Sequence, residues 1–516
     1  MKKRFPAALI AALVIGSSVS RAGAFKLIEA TLDLAPLFAA PAKGEPAPEP
    51  LFDAMVAADL TGDGRKEIVI PGSDGRLRLL RLTGPLDRPA LAPWMTVDTR
   101  VEGDRLPGSC YLTAAPLAKG APASLVLALP RGIFSVGAEG DPPQPRWTPL
   151  SDRTFLERGQ TVSRPQRLDF LVDLDGDGVP EIWIPQLEGM ALWHRKADGR
   201  TWEEIQTPPM PARARESAGA QRIRETASQP PIYALGFSSV LFFPTIQLND
   251  LNRDGRSEMI VLTRDTGTSP RLRAECFALR DSLDFSTSPM QVRTAEADRG
   301  SQTFLDLNGD GWLDLLRVES NLDIVNPRTA IQVFLSPPVR EYAFDQPTRR
   351  YLTHDPVGMV LYGDWNRDGL GDIAYSQFEY TFGSTEDLIS LILGREVTVT
   401  LRLLHGGREG FSQKSDQDVR LQIRNRCFNP HVFPPLSMEG DFNGDGVSDL
   451  LVRSRLERCE IYLSQSGGRL ATRPAETFSI AVEGLWRIGD LDGDGRSDIL
   501  TFDPDHPSIT VHLSRP

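Results

Sequence analysis

Residues 490–502 read DLDGDGRSDILTF. Four acidic side chains, Asp490, Asp492, Asp494 and Asp498, fall within nine residues, and the chain then turns apolar. Carboxylates this close repel one another unless a cation neutralises them. Alternating oxygen-bearing residues on a tight, glycine-containing turn suit calcium, which takes six to eight hard oxygen ligands. Gly495 permits the turn at backbone angles that other residues resist.

Six further stretches repeat the pattern: DLTGDGRKEIVI from Asp59, DLDGDGVPEIWI from Asp173, DLNRDGRSEMIV from Asp250, DLNGDGWLDLLR from Asp306, DWNRDGLGDIAY from Asp364 and DFNGDGVSDLLV from Asp441. Each has Asp at position 1, an oxygen-bearing residue at 3, Asp at 5, Gly at 6 and an acid at 9. Successive starts differ by 114, 77, 56, 58, 77 and 49 residues, so the first interval is twice the usual one. Near its middle lies APLAKGAPASLVL, residues 115–127. Gly120 stands at position 6 and an apolar run follows, but Ala115, Leu117, Lys119 and Ala123 replace the acids. This reads as an eighth repeat that keeps its turn and loses its ion, with Lys119 supplying a charge instead. An ordinary loop and strand is the alternative.

The surrounding sequence is strand-like. A strand enters each motif, as in FDAMVAA before Asp59 or LWRIG before Asp490. After position 9 comes a dense apolar run, such as Ile68-Val69-Ile70, which indicates a strand covered on both faces. A third strand alternates, as in IQVFL (331–335), VTVTLRLL (397–404) and ITVHL (509–513), and room remains for a fourth. Four antiparallel strands per 50–60 residues, repeated many times, describe an all-β fold, a single β-propeller. Eight blades follow from the spacing; seven would follow if the segment around Ala115 were an insertion. The last blade lacks an outer strand, and FKLIEATLDL (25–34) has no blade of its own. Pairing the two would close the ring and remove an open sheet edge. The long intervals imply excursions, chiefly 196–229 and 377–395, on the rim or one face.

With calcium in the loops, side chains at positions 1, 3, 5 and 9 and the backbone carbonyl at 7 form the coordination sphere. The first loop then uses Asp59, Thr61, Asp63, Arg65 and Glu67; the second uses Asp173, Asp175, Asp177, Val179 and Glu181. Next come Asp250, Asn252, Asp254, Arg256 and Glu258, followed by Asp306, Asn308, Asp310, Trp312 and Asp314. The fifth set is Asp364, Asn366, Asp368, Leu370 and Asp372; the sixth is Asp441, Asn443, Asp445, Val447 and Asp449. The last is Asp490, Asp492, Asp494, Arg496 and Asp498. Magnesium demands a smaller octahedron and keeps its waters, and zinc seeks His or Cys, which these loops lack. An EF-hand needs Glu at position 12 and flanking helices. Here position 12 is Ile70, Ile184, Val261, Arg317, Tyr375, Val452 and Thr501, amid β-rich sequence.

The run GDFNGDGVSDLLV, residues 440–452, resembles the FG-GAP or VCBS repeat of integrin α-chain propellers and many secreted bacterial proteins. The resemblance covers essentially all of 25–516. It implies calcium held by positions 1, 3, 5, 7 and 9 of a hairpin loop, in agreement with the residue-level reading. The copy from Ala115 departs from the pattern and carries no calcium site.

Composition fits a globular β protein: 516 residues, 40% hydrophobic, 24% charged, with 44 Gly and 41 Pro. A formal charge of −12 argues against nucleic acid as a partner. Lys2, Lys3 and Arg4, the apolar stretch 7–15 and Ala22-Gly23-Ala24 read as a secretory signal occupying 1–24. Nine apolar residues are too few to span a bilayer, which needs about 20. The mature chain, 25–516, is expected to be exported, periplasmic or extracellular. Losing Lys2, Lys3, Arg4 and Arg21 takes four positive charges from −12, leaving −16. The four cysteines are too sparse for a disulfide scaffold; a Cys427–Cys459 bridge stays open.

The motif is specific for the repeat and says little about activity. Family resemblance implies a binding, adhesion or extracellular assembly module with a protein or polysaccharide ligand. Trp193, Trp202, Arg213 and Arg215 are candidate contacts, though ordinary surface or packing explains each of them better. The alternative is a propeller-type polysaccharide lyase or other carbohydrate-active enzyme, which needs a base and a cation at the sugar. His194, His354, His405, His431, His506 and His512 form no metal or triad spacing, and no G-x-S-x-G, H-E-x-x-H or phosphate loop occurs.

Overall fold

The computed structural model describes residues 25–40, 47–100, 110–152, 164–186, 189–196, 202–205, 207, 213–214, 241–242, 245–264, 269–297, 299–321, 328–355, 357–379, 396–424, 427, 435–465, 467–482 and 484–516. The candidate signal 1–24, Arg215, His431 and most of both excursions lie outside them.

Eight antiparallel sheets of four strands form the blades of a ring. Blade 1 is Val56–Ala58, Glu67–Pro71, Arg76–Thr83 and Ala90–Asp98. Blade 2 is Tyr111–Pro116, Ala123–Leu129, Gly132–Glu139 and Gln144–Ser151. Blades 3 to 7 occupy 171–205, 245–296, 301–353, 357–424 and 436–479. Blade 8 takes Leu485–Gly489, Asp498–Asp503 and Ser508–Arg515 from one end of the chain and Lys26–Asp33 from the other. That fourth strand pairs antiparallel from Lys26 opposite Arg515 to Asp33 opposite Ser508, as the missing outer strand requires. Two blades carry an extra parallel strand: Gln166–Arg167 beside the first strand of blade 2, and Glu341–Ala343 on the outer edge of blade 4. Phe52 to Met55 differ from the sequence reading: Phe52–Ala54 form a 3-10 turn, and only Val56–Ala58 enter as strand.

The packing explains the apolar runs. Side chains alternate across a strand, so in a blade stacked on both faces every residue finds an apolar neighbour. In blade 7, Leu450 and Val452 join a cluster with blade 6, while Leu451 joins one with blade 8. Eight such clusters fill the eight junctions in turn. The last joins Leu500, Ile509 and Leu513 of blade 8 to Ile68, Ile70 and Leu80 of blade 1, and contains Ala30 and Leu34 from the closing segment.

Blade 2 settles the blade count at eight. Its hairpin, however, differs from the other seven. Elsewhere the residue before position 1 pairs with position 9, as Gly489 with Asp498 and Gly440 with Asp449. In blade 2 the strands pair two residues closer to the tip, up to Pro116 opposite Ala123. Lys119 is exposed at the tip of this shortened turn.

All four cysteines are buried free thiols, and no Cys427–Cys459 bridge forms. Trp193 is buried in the cluster between blades 2 and 3, with Trp202 packed beside it. Both are packing residues. Among the described residues, no helix is long and apolar enough to cross a membrane.

Candidate metal loops

Each motif connects the first strand of its blade to the second, so the seven loops emerge on one face of the ring. Neighbouring loops are joined by backbone hydrogen bonds. The position 8 N–H donates to the position 2 carbonyl of the preceding loop: Lys66 to Leu491, Ser257 to Leu174, Gly371 to Leu307 and Ser448 to Trp365, at 2.7–3.0 Å. Ser497 donates to the Asp441 carbonyl, and Ala123 of blade 2 to that of Asp59. Between blades 4 and 5 the Gln291 side chain serves instead, accepting from Leu313 N–H at 2.9 Å and donating to the Gly311 carbonyl.

Within each loop the acids organise the turn. At position 1, one oxygen of Asp59, Asp173, Asp250, Asp306, Asp364, Asp441 and Asp490 accepts the N–H of the position 6 glycine at 2.8–3.0 Å. The other accepts the N–H of residue 4 or 5, as Gly493 does to Asp490 at 2.7 Å. At position 5, Asp63, Asp177, Asp254, Asp310, Asp368, Asp445 and Asp494 are exposed. Each accepts the N–H of position 7, namely Arg65, Val179, Arg256, Trp312, Leu370, Val447 and Arg496, at 2.7–2.9 Å.

Position 9 is buried in every loop: Glu67, Glu181, Glu258, Asp314, Asp372, Asp449 and Asp498 are at most 2% exposed. Each accepts the N–H of position 2 at 2.7–3.0 Å. The length of the side chain decides the second contact. The shorter aspartates reach across to the end of the blade's third strand, accepting the N–H of Ser514 within it and of Ser336, Gly406 and Ser464 two residues past it, at 2.7–3.0 Å. Among the glutamates, Glu258 turns back to Asn252 Nδ2 at 3.1 Å and Glu67 lies 3.4 Å from the Thr61 hydroxyl. Glu181 instead meets His194 Nδ1 at 3.0 Å.

Burial pushes the carboxyls of Glu181, Glu258, Asp449 and Asp498 up to about 7 and that of Asp314 to about 8. The neighbouring acids of each loop push in the same direction. Burial likewise raises Glu67 and, at position 1, Asp306 and Asp364. A carboxylate held so needs a nearby cation to stay ionised at neutral pH.

Position 3 divides the loops. In blades 4 to 7, Asn252, Asn308, Asn366 and Asn443 donate Nδ2 to the position 5 carboxylate at 3.0 Å. In blade 3, Asp173, Asp175 and Asp177 bring one carboxylate oxygen each within 4.8 Å of one another. In blade 8, Asp490, Asp492 and Asp498 do the same. These oxygen sets fit a hard cation such as calcium. Glu181 and Asp494, the fourth acids of these two loops, stand outside the clusters. Asp494 is paired with Arg515 and lies 3.6 Å from Arg496.

Several participants were not visible from motif spacing. His194, in the third strand of its blade, and His405, just past the end of its third strand, approach position 9 at 3.0 and 3.3 Å, though 13 and 33 residues away in sequence. Arg253, at position 4 of the blade 4 loop, has a positive φ of 60° and donates to the Gly369 carbonyl of the blade 6 loop. His512, in the third strand of blade 8, links Thr501 Oγ1 at 3.1 Å and Glu29 Oε1 at 3.1 Å. That row of hydroxyl, imidazole and carboxylate has the composition of a nucleophilic triad. His512 is 1% exposed, with the Phe478 ring 4.6 Å away, so it fastens the ring seam.

Residues 441–501 match the FG-GAP-like repeat family. No curated protein matches the chain. Similar solved structures include the Tc holotoxin pore of Photorhabdus luminescens, at 13% identity and a TM-score of 0.32, over 93% of this chain and 19% of that one. The chain thus spans about a fifth of the length of that toxin chain. An Agrocybe aegerita lectin, described as recognising non-reducing terminal N-acetylglucosamine, is similar at 11% identity and a TM-score of 0.40. That match covers 89% of this chain and 99% of the lectin. The protein is thus an eight-bladed β-propeller that carries an FG-GAP-like repeat at 441–501, with the same loop motif recurring seven times around the ring.

Proposed function

We propose that the protein is an exported calcium-binding propeller whose ion-stiffened loop face serves as a binding or assembly platform for a protein or polysaccharide ligand. One observation carries this reading: seven loops on one face repeat the same frame, with a buried acid at position 9 beneath exposed carboxylates. Calcium would be held by side chains at positions 1, 3, 5 and 9, and it supplies neutralisation of acids that otherwise repel. Across the seven loops there are 23 such acids. Linked to one another through their backbones, loops stiffened in this way would present a fixed surface, and preorganisation favours binding.

Metal analysis of purified, desalted protein tests the ion directly, with calcium in several-fold molar excess over chain expected and none overturning the reading. Glycan and protein arrays, run with and without EGTA, test the platform. Calcium-dependent retention supports it. Turnover of acidic polysaccharides, followed by ultraviolet absorbance of unsaturated product, would replace it with a lyase.

A further inference from the structure

We infer that Arg515 is a built-in counter-ion of the blade 8 loop and competes with a divalent ion for Asp492 and Asp494. The inference rests on the calcium reading above and concerns one loop of the seven. The guanidinium of Arg515 donates to Asp494 Oδ2 at 2.8 Å and to Asp492 Oδ2. The Asp492 side chain is fully buried and that of Arg515 is 12% exposed, so the pair is shielded from water. A planar fork donating to two carboxylates makes charge-assisted bonds that a lysine could not match.

Asp492 is also one of the three acids that converge in this loop. Its Oδ2 is therefore committed to a guanidinium in the metal-free state, and an ion that used the same oxygen would displace Arg515. The blade 3 loop holds as many acids, but its converging carboxylates of Asp173 and Asp177 face solvent. Charge count alone ranks the two loops equal. Arg515 makes blade 8 the weaker calcium site.

The location gives the competition a consequence. Arg515 ends the strand Ser508–Arg515 and pairs with Lys26 of the closing strand. When metal is scarce, the guanidinium ties the last loop to the seam of the ring, and calcium exchanges that tie for its own.

The test uses the full chain and calcium itself, titrated against a chromophoric chelator. The site lost in Asp490→Ala identifies blade 8. Arg515→Gln should tighten that site about tenfold or more, as expected for removing a charge-assisted competitor. It should also lower the melting temperature of metal-free protein while leaving that of calcium-saturated protein near the wild type. Arg515→Lys, which keeps the charge without the fork, should fall between. Unchanged calcium affinity in both variants, with wild type binding normally, overturns this inference alone. A wild type that binds no calcium overturns the calcium reading and this inference together.

Discussion

The acid at position 9 has two duties that pull its protonation in opposite directions. It fastens the loop by accepting the position 2 N–H, and burial among other acids makes its charge costly. In metal-free protein, Glu181, Glu258, Asp314, Asp449 and Asp498 hold their protons up to about pH 7 or 8, against about 4 in an unfolded chain. The folded state therefore binds more protons between about pH 4 and 8, and these groups stabilise it less as pH rises through that window. Metal-stripped protein should melt higher at pH 6 than at pH 8 by circular dichroism. Saturating calcium should flatten or reverse the trend, because the ion needs the ionised carboxylates. A single pH trend, unmoved by calcium, would contradict the assignment. At position 5 the two duties separate cleanly. Asp177→Ala removes the hydrogen bond from Val179 N–H, worth about 1 kcal/mol with or without metal. Any ligand role adds to the loss only in calcium, so the drop in melting temperature should be larger there; equal losses would leave Asp177 a turn residue alone. Residue types at positions 1, 3, 5 and 9 were legible because one short loop contains them all. Arg515, His194 and His405 were not, since each reaches its acid from within or just past the third strand of the blade.

Strands and hairpins were legible where a local pattern specified them. The double-faced apolar second strands and the closing segment both follow from periodicity, because stacked blades leave no polar face on an inner strand. The blade 2 hairpin was legible in existence but not in register, since without acids to accept the turn's N–H groups its strands pair closer to the tip. Arg453 shows the opposite limit. It resembles a surface charge in sequence, yet it is wholly buried and donates to the carbonyls of Leu456, Ala481, Val482 and Gly484, stapling the passage between blades 7 and 8. Those acceptors belong to irregular backbone that no periodicity marks. Contact between loops gives a paired prediction. Gly176 (φ 73°) and Gly255 (φ 87°) both occupy the left-handed region, so alanine strains either by about 1–2 kcal/mol. A Cβ on Gly176 would stand 2.5 Å from the Gly255 carbonyl oxygen of the next blade, whereas one on Gly255 meets open space. Gly176→Ala should therefore destabilise clearly more than Gly255→Ala in denaturant unfolding. Equal effects would mean the two loops do not touch. At the closing element, Leu34 is fully buried between blades 8 and 1, and Leu34→Ala should cost about 2–5 kcal/mol. A cost below 1 kcal/mol would show the segment to be dispensable for closure.

At the scale of the ring, the eight apolar clusters and the linked loops make different demands. The clusters hold neighbouring blades together through apolar packing, which involves no metal ligand. The loop face is another matter, because it gathers 23 acids on a chain already at −12. Seven divalent ions would add 14 positive charges and relieve that repulsion where it is densest. Each site filled at a hundred times its dissociation constant stabilises the fold by about 2.7 kcal/mol, and two or three such sites match a large share of a typical 5–15 kcal/mol total. Calcium should therefore raise the melting temperature by several degrees or more. Hydrogen bonds cross all eight junctions at loop level: five are backbone bonds between metal loops, two involve blade 2 (Ala123 to Asp59, and Arg195 of blade 3 to Leu117) and one runs through Gln291. Stripping one loop should weaken its neighbours, so thermal unfolding in calcium should stay a single transition while EGTA lowers and broadens it. Circular dichroism melts with and without EGTA, paired with mass-spectrometric metal analysis, decide the matter. Superimposable curves from protein that carries no metal would mean the acids serve the turns alone, as their hydrogen bonds to the backbone already allow.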